Sequence, residues 1–163
     1  AKLFWQKRPE ELFSLSGSHK KWSMAGPGGV LDRKKEEFLP YCKKYGVDLI
    51  SMIAPTSENR ISMIASQAEG FIYVVSSLGV TGTRNEIKTD LDFIVALIRQ
   101  SAKVPCAIGF GISTPEQAKK MASISDGAIV GSAIIKLLEK YGKDAPEQVG
   151  AYVRSMKAAV RGA

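Results

Sequence analysis

The 163-residue chain is poor in the side chains that hold metals and disulfides: one histidine, His19, and two cysteines, Cys42 and Cys106. These cannot supply the paired Cys and His spacing of a zinc site, and two cysteines make no disulfide framework, so a reducing compartment is expected. No apolar run approaches the roughly 20 residues that span a bilayer. The opening AKLFWQKRPEEL is too charged for a secretory signal, and these readings together predict a cytoplasmic chain with no membrane partner. A Gly-Lys-Ser/Thr phosphate loop is also missing, and GFGIST carries Thr114 where the dinucleotide fingerprint needs a third glycine. Neither an ATP nor an NAD site is expected.

What the chain does have is an ordinary globular composition, 45% hydrophobic and 24% charged, enough for a packed core. Its net charge of +7 is unevenly placed. Residues 1 to 35 hold eight basic groups against Glu10, Glu11 and Asp32, whereas the remainder holds 15 basic and 13 acidic groups. With no recognisable binding module in the basic segment, no nucleic-acid partner is expected. The same segment contains Trp5, Trp22, His19 and the turn-forming run Gly26-Pro27-Gly28-Gly29, and shows no sustained period of 2 or 3.6. A domain boundary is placed near residue 35, and His19, in a polar stretch, is read as a surface group.

From Glu36 onward, helical and strand patterns alternate. EEFLPYCKKYG predicts a helix with Phe38, Leu39, Tyr41, Cys42 and Tyr45 on one side, stopped by Gly46. Strand patterns follow at residues 47–54, 71–77, 104–111 and 127–130. Helices are predicted after Thr56-Ser57, after Thr89-Asp90, after Ser113-Thr114-Pro115-Glu116, over GSAIIKLLEK, and from about Pro146 to Val160. The order α-βα-βα-βα-βα predicts an α/β fold of four parallel strands with helical crossovers. It suits half of a (β/α)8 barrel or a small open doubly wound sheet, and periodicity does not choose between them. The cysteines, on a helix face and within a strand, are read as buried thiols, and Lys43-Lys44 and Lys119-Lys120 as solvated faces.

In either architecture ligands bind beyond the C-terminal ends of the strands. Three of the four loops there are rich in glycine: Gly79-Val80-Thr81-Gly82, Gly109-Phe110-Gly111-Ile112-Ser113 and Gly131-Ser132-Ala133. Glycine lets backbone approach a ligand closely, and a helix beginning at such a loop presents N–H groups with the positive end of its dipole behind them. The combination suits a phosphate.

The strings FIYVVSSLGVTGTR, VPCAIGFGISTPEQ and GAIVGSAIIK, in this order and spacing, resemble the tryptophan synthase alpha subunit family, and FLPYCKKYGVDLISMIAPTS is similar to the segment entering its fifth barrel strand. The resemblance covers about residues 36–163 and implies a partial TIM (β/α)8 barrel, four parallel βα units after an N-terminal helix. It implies a lyase of tryptophan biosynthesis, which cleaves indole-3-glycerol phosphate to indole and glyceraldehyde 3-phosphate by a retro-aldol step. It also implies phosphate binding at Gly82, Gly111, Gly131 and Ser132, and a substrate pocket lined by Tyr73, Phe110 and Ile129. Leu78 to Arg84 would form a lid, with Thr81 meeting the family's aspartate on closure.

The glutamate and aspartate that move protons in that family, the latter in a Pro-Phe-Ser-Asp-Pro motif, have no counterpart here; the carboxylates upstream are Glu10, Glu11 and Asp32, all read as surface charges. The chain is therefore expected to be inactive alone. Residues 1–35, outside the resemblance, are expected to be disordered or derived from a frameshift. The family assembles with a beta subunit, as a heterotetramer, and that subunit carries the pyridoxal phosphate. No metal and no cofactor is expected on this chain. Two other readings stand beside this one: a non-catalytic half-barrel that self-associates through open sheet edges, or another phosphosugar-binding barrel enzyme.

Overall fold

A computed structural model of the chain describes residues 3–6, 23–25, 39–46, 48–55, 60–76, 91–109 and 111–163. In chain order the strands are β1 (Leu3–Gln6), β2 (Ser23–Ala25), β3 (Asp48–Ile53), β4 (Ile72–Val75), β5 (Cys106–Gly109) and β6 (Gly127–Val130). The helices are α1 (residues 39–45), α2 (Ile61–Ser66), α3 (Leu91–Ser101), α4 (Pro115–Ile124), α5 (Ser132–Tyr141) and α6 (Ala145–Arg161), the last preceded by a 3-10 turn at Gly142–Asp144. They divide between two compact units, one formed by residues 1–9 and 107–163, the other by residues 10–106.

In the unit of residues 10–106, β3 runs parallel to both β2 and β4, with Ser51, Met52 and Ile53 opposite Ile72, Tyr73 and Val74. Helices α2 and α3 pack together. Ile61, Ile64 and Ala65 of the first, and Ile94, Val95 and Ile98 of the second, are buried at the three- and four-residue spacing of an amphipathic face. Gly70, at φ +66°, turns the chain into β4, and a Cβ there would lie 2.8 Å from the Ile50 Cδ1. Only glycine takes that conformation without strain.

In the other unit β5 and β6 run parallel, Ala107 opposite Gly127 and Gly109 opposite Ile129. All residues of both strands are buried, which is why they read as continuous apolar runs instead of alternating ones. Ala128 and Val130 join Ile112, Ala118, Ala122, Ile134, Met156 and Val160 in one core cluster. Since successive strand side chains point to opposite faces, Gly127 and Ile129 face away from it. Ala118 and Ala122, one helical turn apart and fully buried, keep α4 narrow on the side it presents to the core. Ser125 ends that helix, its hydroxyl 2.8 Å from the Met121 carbonyl and 2.9 Å from that of Gly127. Its buried oxygen thereby joins the last turn of α4 to the first residue of β6.

Three sequence expectations change. Residues 1 to 35 show no strand pattern, yet they supply β1, antiparallel to β6, and β2, parallel to β3. At four and three residues these strands are too short for a period to show, and their placement is set by backbone pairing with a longer neighbour. β6 and β3, which the alternative self-associating reading left as open edges, are thus paired with strands of this chain. On α1, Tyr41 and Tyr45 are 66% and 68% exposed instead of facing inward with Cys42; they lie one turn apart, on a different stripe from Cys42. The second helix begins at Ile61 with Arg60 at its N-cap, later than Thr56-Ser57, which fall outside the described residues. Cys42 and Cys106 are buried as read, and Lys43, Lys44, Lys119 and Lys120 are exposed.

Met156, fully buried in the cluster between strand and helices, makes the clearest test of this packing. Met156→Ala is expected to lower unfolding free energy by about 2–5 kcal/mol, read from urea denaturation. A loss below about 1 kcal/mol would contradict the packing described.

Candidate functional site

Two loops of the unit containing residues 107–163 leave the C-terminal ends of neighbouring parallel strands, and each opens a helix. The first leaves β5 at Gly109. Gly111 takes φ +78° with nothing within 4 Å of an added Cβ, so conformation and not space calls for glycine. Ile112 then turns inward and anchors the loop in the core cluster. Thr114 is the N-cap of α4, its Oγ1 accepting from the Gln117 N–H at 3.3 Å. Gln117 returns the bond: its Oε1 accepts from the backbone N–H of Ser113 at 2.8 Å and of Thr114 at 3.2 Å, with the Ser113 hydroxyl 3.2 Å away. This is a complete capping box.

Two further groups close this loop. The Tyr152 hydroxyl, on α6, donates to the Ser113 carbonyl at 2.8 Å. Burial pushes the phenol's pKa up, so it remains a donor through neutral and mildly alkaline pH. Glu116, in the first turn, is held below the usual carboxylate range by its own backbone N–H and by the Thr114 hydroxyl. It is ionised at neutral pH, where it favours the positive end of the helix dipole and has no proton to give.

The second loop is built differently. β6 passes straight into α5 through Gly131, an N-cap with no side chain to bond. Its carbonyl accepts from Ile134 at 3.0 Å and Ile135 at 3.2 Å. The amides of Ser132 and Ala133 come before the first intrahelical donors, so helix geometry leaves them pointing out of the N-terminus. The exposed Ser132 adds a hydroxyl beside them. Two loops of similar sequence thus differ in chemistry: α4 satisfies its N-terminus with its own side chains, whereas α5 leaves backbone donors for an anion.

Of the residues singled out from sequence, Gly111, Gly131 and Ser132 stand at these loops, and Ile129 is buried on β6, on the face away from the helices. Tyr73 belongs to the other unit, buried on β4, where desolvation raises the pKa of its phenol. Gly82, Thr81 and Phe110, the lid span Leu78–Arg84, and His19, Glu10, Glu11 and Asp32 lie outside the described residues. Among the described residues no group of three His, Cys, Asp or Glu side chains could hold a metal ion, and no helix is long and apolar enough to cross a membrane. Gln117 and Tyr152 were missed. The Thr-x-x-Gln spacing could have revealed the first; no local signal exists for a contact between residues 39 apart in sequence.

A family model described as tryptophan synthase alpha chain matches residues 31–161. The tryptophan synthase alpha chain of Lacticaseibacillus casei is 50% identical over 126 residues, covering 77% of this chain and 47% of that one. That of Lactiplantibacillus plantarum is 53% identical over 127 residues, covering 77% and 48%. The chain spans about half the length of the curated relatives it matches. Among solved structures, tryptophan synthase subunit alpha from Legionella pneumophila superposes with a TM-score of 0.68 at 27% identity, over 87% of this chain and 53% of that one. Tryptophan synthase from M. tuberculosis gives 0.69 at 22% identity, over 93% and 54%, a likeness of fold alone. Between the two architectures left open by periodicity, these neighbours select the (β/α)8 barrel, of which this α/β chain forms a part.

The capping interactions carry a prediction of their own. Thr114→Ala is expected to cost about 1 kcal/mol in urea denaturation. Because Glu116 has a lowered pKa in the folded chain, its contribution is present above the ordinary carboxylate range and is lost as pH falls through the lowered value. Glu116→Gln should therefore flatten the acid limb of the stability curve and leave its neutral region nearly level. An unchanged acid limb would refute that assignment.

Proposed function

The chain belongs to the tryptophan synthase alpha chain family, and from that premise we propose that its loops after β5 and β6 bind the phosphate of indole-3-glycerol phosphate. The observation that supports this most directly is the open N-terminus of α5, where Gly131 leaves the Ser132 and Ala133 amides without side-chain competitors. A phosphate placed there would meet two backbone donors, the Ser132 hydroxyl and the positive end of a ten-residue helix. Gly111 would contribute backbone from the neighbouring loop, and the family resemblance adds Gly82.

In this reading the family resemblance gives Tyr73, Phe110 and Ile129 roles toward the indole and glycerol parts of the substrate. The resemblance also gives Thr81 a role on closure of a lid over Leu78 to Arg84. Cleavage requires a base to take the proton from the glycerol hydroxyl and an acid–base partner for the indole as the carbon–carbon bond breaks. The sequence has no counterpart of the family's glutamate and aspartate, and ionised Glu116 is engaged in capping. The chain would then bind the phosphate end of the substrate without turning it over. No cofactor is assigned to it; in this family pyridoxal phosphate serves the beta subunit.

Calorimetry with glycerol 3-phosphate tests the reading, glycerol being the control. Binding in the millimolar range is expected, about 4 kcal/mol, and none for glycerol. Ser132→Asp should abolish binding while preserving the melting temperature, since a carboxylate suits a helix N-terminus but repels phosphate. Equal binding by that variant would overturn the assignment. Incubation with indole-3-glycerol phosphate should release no indole above background, and measurable release would overturn the inactivity.

A further inference from the structure

The loop carrying Gly111 has a feature that phosphate binding alone does not require. Gly111 is exposed, at positive φ, and no neighbour would touch a Cβ placed on it. A glycine so placed gains little order from its own contacts. Order has to come from the residues that follow, and Ser113 is where it converges. Its N–H is taken by Gln117 at 2.8 Å and its carbonyl by Tyr152 at 2.8 Å, so the residue is gripped from its own helix and from another.

The second grip is rigid. Tyr152 lies one helical turn before Met156, which is fully buried in the core cluster, and α6 packs along α4. The phenol is itself half-buried, so its hydroxyl is held at a set height above the loop. Binding that relies on backbone amides is sensitive to such preorganisation, because a loop that must first be ordered spends binding free energy on its own entropy.

We propose that Tyr152 is a positioning residue for the phosphate site: by holding the Ser113 carbonyl, its hydroxyl keeps the Gly111–Thr114 loop in the conformation that presents Gly111 to the ligand. The proposal rests on the phosphate reading above. Tyr152 touches no ligand atom and acts through Ser113 alone.

Tyr152→Phe removes the donor and keeps the ring. The full chain, labelled with 15N, is titrated with glycerol 3-phosphate while the amide signals of Gly111 and Ser132 are followed, and melting temperature is measured in parallel. The wild type should saturate. The variant should bind about three- to tenfold more weakly, the value of one hydrogen bond. Its Gly111 signal should respond less than in the wild type at saturation, its Ser132 response should be retained, and its melting temperature should stay within a few degrees. Wild-type affinity with an undiminished Gly111 response would overturn the positioning role and leave the phosphate reading standing. Equal weakening of both responses with a large fall in melting temperature would reduce Tyr152 to a packing residue and also overturn it. Absence of any response in the wild type would overturn the phosphate reading, and the positioning role with it.

Discussion

Two parallel strands can be joined only by a chain that crosses back to the starting end, and a helix is the compact way to do so. Each such helix begins where the preceding strand stops. That constraint places both strand-to-helix loops of β5–α4–β6–α5 at the C-terminal ends of their strands, each beside the N-terminus of a helix, so backbone donors gather there before any side chain is chosen. Side chains then decide which donors remain available. Thr114 and Gln117 consume those of one helix, and Gly131 spares those of the next. The supply of backbone donors at these loops is in this sense a property of topology, edited by a few residues.

Much of this was legible in the sequence. Strands buried on both faces are the strongest pattern a chain can show, and β6 falls on the residues expected of it, 127–130. The start of α4 was equally clear, since Ser113, Thr114, Pro115 and Glu116 agree in capping, conformation and charge. The tyrosines of α1 were misplaced because its apolar residues offer two candidate stripes, and only tertiary packing decides between them. The short strands before residue 35 were invisible for a different reason. Their residues need only extended backbone and a neighbouring edge, a requirement that leaves almost no trace in composition.

At the candidate site the division is similar. Glycine and serine positions were readable because loop chemistry is local: Gly111, Gly131 and Ser132 stand where strand gives way to helix. What organises them was not readable. Tyr152 reaches Ser113 from a helix far along the chain, and the identity of its partner, a backbone carbonyl, imposes no residue type that a sequence could display. Glu116, expected as part of the helix start, is held more closely than its charge alone implied. Its carboxylate is engaged by its own N–H and by the Thr114 hydroxyl, which makes it part of the scaffold.

The antiparallel pairing of Leu3–Gln6 with Gly127–Val130 has a consequence for the order of events during synthesis. β1 is made before β6, so it waits for a strand far along the chain before it can pair. Contacts so distant in sequence form slowly, because a long loop must close first. β6 takes β5, near in sequence, along one edge and β1, far away, along the other. The near pairing closes the shorter loop and forms first. The antiparallel pair of β1 and β6 is then a late step in building this unit.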